Sequence, residues 1–155
     1  MPATKLKAFL DSQKVKYVSC KHSKAFTASE VAASTHVPGR EMAKTIMVLA
    51  DGKMVMVVLP APEYISMELL KYVTDAEEVH LASEQEFKDL FPDCEVGAMP
   101  PFGNLYDLET YVDATLTEDE EIAFNAGTHT EIIKMAYEDF HNLVEPKVVH
   151  LALEV

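Results

Sequence analysis

A chain of 155 residues, 48% hydrophobic and 25% charged, suits one domain (1–155) long enough to bury roughly two thirds of its unfolded surface. No run of about 18 apolar residues occurs, and the start of the chain lacks the apolar stretch of a signal peptide, so no membrane partner is expected and the cytoplasm is the default compartment. A formal net charge of −13 opposes any partner held by phosphate contacts alone: no DNA partner is expected, and any other nucleic acid must be gripped locally or with help.

Thr4 is placed to cap a helix with Leu6, Phe9 and Leu10 at helical spacing through about Gln13, and a short strand follows over Lys16 to Cys20. His22 precedes a capping box in which Thr27 stands three residues ahead of Glu30, opening a helix over Val31, Ala32 and Ala33 that closes by His36, Val37, Pro38 and Gly39. Ala43 to Ala50 is nearly all apolar, Asp51-Gly52 is a two-residue turn, and Lys53 to Leu59 repeats the pattern, which makes a hairpin. Along its first strand Lys44, Ile46 and Val48 share one face while Thr45, Met47 and Leu49 share the other, and both faces look covered. Lys44 is then either a strand-end lysine whose ammonium snorkels to water, or an ammonium at the mouth of a cavity that binds a carboxylate, phosphate or carbonyl oxygen.

After Pro60-Ala61-Pro62, a helix is expected over Ser66 to Val73 with Leu69, Leu70 and Val73 inward, then a weak strand from Glu78 to Leu81. Ser83 and Glu86 form a second capping box, opening a helix that buries Phe87 and Leu90 and stops before Pro92. In Gly97-Ala98-Met99-Pro100-Pro101-Phe102-Gly103 two glycines bracket two prolines and an aromatic, so the segment should be a stiff loop that fixes its remaining N–H groups. Such donors suit a carbonyl or an oxyanion; the plainer alternative is a connection between strands. A strand over Glu109 to Asp113 follows, with Asp113 at its end, and Thr117 to Glu120 is again spaced as a capping box. Glu118 to Glu121 is expected to be a solvated face or a helix N-terminus. Glu121 to Phe124 and Glu131 to Met135 flank Asn125-Ala126-Gly127-Thr128 as a further hairpin, and a helix from Tyr137 to Leu143 and an alternating tail from Val148 to Leu153 end the chain.

Hairpins interrupted by short helices point to an α+β fold, with a mixed, mainly antiparallel sheet curled toward a barrel and short flanking helices. No G-x-G-x-x-G, Walker A or G-x-S-x-G pattern is present, and Cys20 and Cys94 form no C-x-x-C pair, so both are expected to be free thiols. The six histidines show neither H-x-H nor H-E-x-x-H spacing; no metal and no cofactor is expected. His22 and His129 lie in loop-like contexts, either lining a pocket or capping the surface.

The segments Ala43-Lys44-Thr45-Ile46-Met47-Val48, the Asp51-Gly52 hairpin, Val96 to Gly103, Tyr111-Val112-Asp113 and Phe124-Asn125-Ala126-Gly127 occur in the order seen in the YbaK family, also called the prolyl-tRNA synthetase-associated editing domain. Upstream, Phe26-Thr27-Ala28-Ser29-Glu30-Val31-Ala32 is similar to that family's N-terminal signature, so the resemblance covers roughly residues 20 to 145. It implies a barrel-like α+β domain that hydrolyses the ester of a mischarged aminoacyl-tRNA in trans, removing a small noncognate amino acid from the acceptor end, with tRNA-Pro as a candidate. It further implies that Lys44 holds the aminoacyl-adenosine end, and that the backbone of Gly97, Ala98, Met99 and Pro100 positions the ester carbonyl. Thr45, Ile46, Pro101, Phe102, Gly103, Asp113, Asn125 and Gly127 would shape the substrate pocket, with His22 and His129 as weaker correspondences. A synthetase or elongation factor would deliver the substrate to so acidic a protein. The alternatives are an inactive module of the same fold that binds a small amino-acid or nucleotide ligand, and an acidic protein-interaction domain.

Overall fold

The computed structural model describes residues 4–21, 39–95 and 97–152; the Thr27–Glu30 capping box with its helix, His22 and His36 lie outside them. Asp51 and Gly52 both adopt positive φ, 49° and 80°, the conformation that lets a two-residue turn follow the twist of its strands. The turn joins β2 (Ala43–Ala50) to β3 (Lys53–Pro60), and the Asp51 carboxylate accepts the N–H groups of Glu77 and Glu78, which places β4 (Val79–Leu81) along the other edge of β2. Beyond β3 the sheet continues in parallel through β5 (Thr110–Asp113) to β8 (Lys147–Val149), giving the order β4-β2-β3-β5-β8. A second, antiparallel sheet has the order β1-β7-β6, from Tyr17–Lys21, Glu131–Ala136 and Glu121–Asn125.

The fold is thus α+β with mixed sheets, as expected. Among the described residues it is not a closed barrel: a parallel bridge between Met42 and Ala123 joins the two sheets.

Both faces of the β2–β3 hairpin are covered. Met47, Met56 and Val58 face a core with Phe102, Phe124 and Phe140, while Val48, Val55, Val57 and Leu59 face Leu70 of helix α2 (Met67–Thr74) and Leu151 of the tail. Helix α1 (Thr4–Ser12) closes the first core with Leu6 and Leu10, and the last helix, α4 (Tyr137–Val144), adds Phe140 and Val144.

Two local expectations are corrected. The capping box of Ser83 and Glu86 is present, but α3 (Glu84–Phe87) lasts one turn before tightening into a 3-10 turn over Lys88–Leu90. That change of winding leaves Leu90 39% exposed and buries Phe91 in its place. The short helix after β5 is also a 3-10 turn, over Ala114–Glu118, and its N-cap is Asp113, not Thr117, whose hydroxyl donates back to the Ala114 carbonyl at 2.6 Å.

Candidate functional site

The Gly97–Gly103 loop is clamped to the turn between β6 and β7. Gly127 N–H donates to the Ala98 carbonyl at 2.9 Å, Glu95 N–H donates to the Gly127 carbonyl at 2.8 Å, and Ala98 N–H donates to the Glu95 carbonyl at 3.1 Å. Gly97 and Gly127 have φ of +84° and +94°, values that L side chains rarely adopt, so the clamp needs glycine at both places. The His129 ring stands against Gly97, its Cε1 3.5 Å from where a Cβ would sit, and the residue is buried. The turn is closed from below by Ala126 N–H on the Glu131 carbonyl at 3.1 Å, while the buried Glu131 carboxylate pairs with Lys7 of α1 at 2.6 Å and accepts the Ser19 hydroxyl of β1.

Ala98, Met99, Pro100, Pro101, Phe102 and Gly103 are all buried. Phe102 anchors them, its ring centroid 5.4 Å from those of Phe124 and Phe140 and 6.3 Å from that of Phe9. Its side chain is committed to the core, so the part of it that can face a ligand is the backbone. Pro100 and Pro101 carry no N–H, and the Met99 N–H donates to no acceptor among the described residues.

Lys44 enters from the larger sheet. Its Nζ donates to the Ala61 carbonyl at 3.1 Å and to the Glu63 carbonyl, and lies 5.3 Å from the ring centroid of Tyr64. Burial pushes the ammonium below its ordinary range, partly opposed by the Glu63 carboxylate. Ala61 N–H in turn donates to the Met42 carbonyl at 2.7 Å. The Met42–Ala123 bridge sets β2 and β6 side by side and running the same way, so Lys44 and Asn125 each stand two residues beyond it. Asn125 Oδ1 is buried there with no hydrogen-bond partner among the described residues.

The fold therefore brings Lys44, Asn125, Gly127, His129, Gly97 and Ala98 to one end of the joined sheets. Thr45 lies on the opposite face of β2 from Lys44, and Ile46 packs toward the core beneath α2. Asp113 ends β5 in the same region, but its carboxylate is occupied: Oδ1 accepts Leu151 and Ala152 N–H at 2.8 and 3.0 Å, and Oδ2 accepts Thr115 N–H at 3.1 Å and the Thr115 hydroxyl. Burial would raise the pKa of Asp113; these hydrogen bonds outweigh it and hold the carboxyl below its ordinary value. His22 lies outside the described residues.

Two features here carried no local sequence signal. The acceptors of Lys44 come from the break after β3, 17 and 19 residues away, and Tyr64 comes with them. Asp119 sits in the acidic run expected to be solvated, yet it is half-buried beside a cleft of about 350 Å³ also lined by Arg40, Pro60, Glu63, Thr115 and Glu118. Burial first, then Glu41 and Glu118, push its carboxyl above the ordinary value, against the pull of Arg40.

The model of the aminoacyl-tRNA editing domain family matches residues 22–143. A proline–tRNA ligase of Bacillus mycoides (strain KBAB4) is 32% identical over 84 residues, which are 54% of this chain and 15% of the ligase, so the chain spans a small part of that protein's length. Among solved structures, a hypothetical protein superposes with a TM-score of 0.87 at 20% identity, covering 96% of this chain and 99% of its own. A putative trans-editing enzyme for prolyl tRNA synthetase superposes with a TM-score of 0.84 at 17% identity, covering 98% of this chain and 97% of its own; at such identities the likeness is one of fold.

Proposed function

Since this chain belongs to the aminoacyl-tRNA editing domain family, we propose that residues 1–155 act as one editing-type domain, a deacylase that cleaves the ester of a mischarged tRNA in trans, with a small amino acid on tRNA-Pro as the substrate. The observation that carries this reading is the clamp of Gly97–Ala98 on Gly127, which fixes a buried, proline-stiffened loop to the turn after β6, the strand that bridges β2 two residues before Lys44.

The chemistry follows from what the site holds. An aminoacyl ester is activated, so a water held in line can attack it without a protein nucleophile. As the carbonyl oxygen gains charge, a rigid N–H such as that of Met99 stabilises it without reorganising, and the Lys44 ammonium adds a positive charge in a half-buried setting where it is screened less than in water. Lys44 acts as an electrostatic and orienting group, its proton kept by the carbonyls of Ala61 and Glu63; the ribose hydroxyl next to the ester relays the proton, taking one from the attacking water as it passes its own to the ribose oxygen that leaves when the ester C–O bond breaks. Asn125, with its buried oxygen at the same end, is suited to the substrate's amino group.

Such an activity answers a limit of binding. A synthetase pocket rejects a substrate one methylene smaller by only about 1–3 kcal/mol, so a second site that admits the smaller residue restores accuracy. The names of the relatives, a proline–tRNA ligase and a putative trans-editing enzyme for prolyl tRNA synthetase, support tRNA-Pro as the carrier. With a net charge of −13, the domain receives its substrate from a synthetase or an elongation factor in this reading, not by phosphate contacts of its own.

The test is hydrolysis of tRNAs charged with alanine, serine, cysteine or proline. Faster release of one small noncognate amino acid than of the correctly paired one supports the proposal and names the substrate; equal rates with and without protein across the panel refute it.

A further inference from the structure

Tyr64 keeps 71% of its surface exposed, although the segment carrying it is pinned on both sides. Glu63 N–H donates to the Pro60 carbonyl at 3.0 Å, Ile65 bridges Ala152, and Ser66 N–H donates to the Leu151 carbonyl at 2.7 Å. The acceptors that hold Lys44 are backbone carbonyls of Ala61 and Glu63, which any side chain at position 64 would leave in place. An aromatic ring fixed at its base and left in water contributes little to folding, since stability comes from removing apolar area from solvent. Among the described residues the ring has one charged neighbour: Lys44 Nζ lies 5.3 Å from its centroid, within cation–π range.

An ammonium for an ester carbonyl, with an aromatic plane beside it, matches the layout of a nucleoside that carries an ester on its ribose, because base and ester hang from the same sugar. We propose that Tyr64 is the platform on which the terminal adenine base of the aminoacyl-tRNA stacks, so that the ester one ribose away meets Lys44. The proposal rests on the deacylase reading above. Stacking on an aromatic face is how single-stranded RNA ends are gripped, and it draws on no net charge. It therefore suits a chain whose charge of −13 leaves little to gain from phosphates, and substrate binding through it depends weakly on salt.

The test compares the native protein with Tyr64→Leu and Tyr64→Phe on two probes: alanine esterified to adenosine, and the same ester on methyl riboside, which has no base. Tyr64→Leu should raise KM for the adenosine ester about tenfold with kcat within about twofold, Tyr64→Phe should stay near native, and all three proteins should act alike on the baseless ester. A loss of the same size on both esters, or on neither, overturns the platform and leaves the deacylase reading standing. Binding of 3′-alanylamido-3′-deoxyadenosine, an amide that cannot turn over, is measured alongside. A Kd about tenfold weaker for Tyr64→Leu supports the platform even where no ester is cleaved, a result that would refute the deacylase reading alone. Equal Kd values for native and Tyr64→Leu protein, or no binding by the native protein, overturn the platform.

Discussion

Adding one methyl group at Gly103 tests how tightly the proposed loop is built. A Cβ there would lie 2.2 Å from Thr110 Oγ1 and 2.7 Å from the Leu108 carbonyl oxygen. The backbone cannot step aside freely, because Leu108 N–H donates to the Gly103 carbonyl at 2.9 Å and the residue before is Phe102, whose ring is fully buried. Overpacking of this kind costs about 1–3 kcal/mol, and breaking the Leu108 bond adds about 1 kcal/mol, so Gly103→Ala should destabilise by about 2–4 kcal/mol. In urea the midpoint should fall at nearly constant m. Thr110 Oγ1 is buried without a hydrogen-bond partner among the described residues, so Thr110→Ala removes the nearer obstacle at a cost of about 1 kcal/mol, that of one buried methyl. In the Thr110→Ala background, Gly103→Ala should cost at least about 1 kcal/mol less than in the native protein, with the remainder due to the Leu108 carbonyl. Equal costs in both backgrounds, or a Gly103→Ala protein as stable as native, would refute the packing argument.

Gly97→Ala forces an L side chain to a φ of +84°, which should cost about 1–2 kcal/mol in urea unfolding and lower deacylation more than stability alone explains, since the clamp is displaced. Asp113→Asn loses the charged acceptor of the Leu151, Ala152 and Thr115 groups and should destabilise by about 3 kcal/mol or more, with the chain after β8 showing the largest gain in hydrogen exchange. The folded pKa of Asp113 is depressed, so its contribution is complete above the unfolded value of about 3.9 and is lost as pH falls through the lower folded value; the acid limb of native stability should flatten in Asp113→Asn. Lys44 is shifted down by burial, so the electrostatic assistance it gives should fade at a lower pH than a solvated lysine allows, about 10.4. A pH–kcat profile should show that alkaline loss in the native protein and lack it in Lys44→Arg, which keeps its charge.

The parts of the fold legible in the sequence are those fixed by neighbours in the chain. Asp51-Gly52 specifies its own turn, Ser83 caps the helix that follows it, and the pairing of β6 with β7 is set by the short turn between them. What was not legible depends on residues far apart. The parallel order β3-β5-β8 joins strands separated by dozens of residues, and alternation along a strand does not say which neighbour it will find. In the sequence Asp113 is simply the end of a strand, and one of its oxygens does cap the next turn; that its other oxygen fastens residues 151 and 152 follows only once β8 lies beside β5.

The same division runs through the candidate site. The composition of Gly97–Gly103 marked it as rigid because proline and glycine act locally, whereas its clamp on Gly127 required the hairpin to be in place. For Lys44 the sequence left a snorkelling side chain and a cavity-mouth ammonium open, because its acceptors, Ala61 and Glu63, lie across β3 in a segment that reads only as a break.

Single-turnover deacylation of alanyl-tRNA-Pro by the native protein and by Lys44→Met, with binding of the amide analogue measured on both, decides whether this site is a deacylase that works through Lys44. The native protein should release alanine, and Lys44→Met should lose about 100-fold or more in rate while binding the analogue no worse than about tenfold, because Lys44 acts mainly on charge that develops in the transition state. A Lys44→Met protein that deacylates at the native rate, or one whose rate loss is matched by the loss in analogue binding, would contradict that role for Lys44.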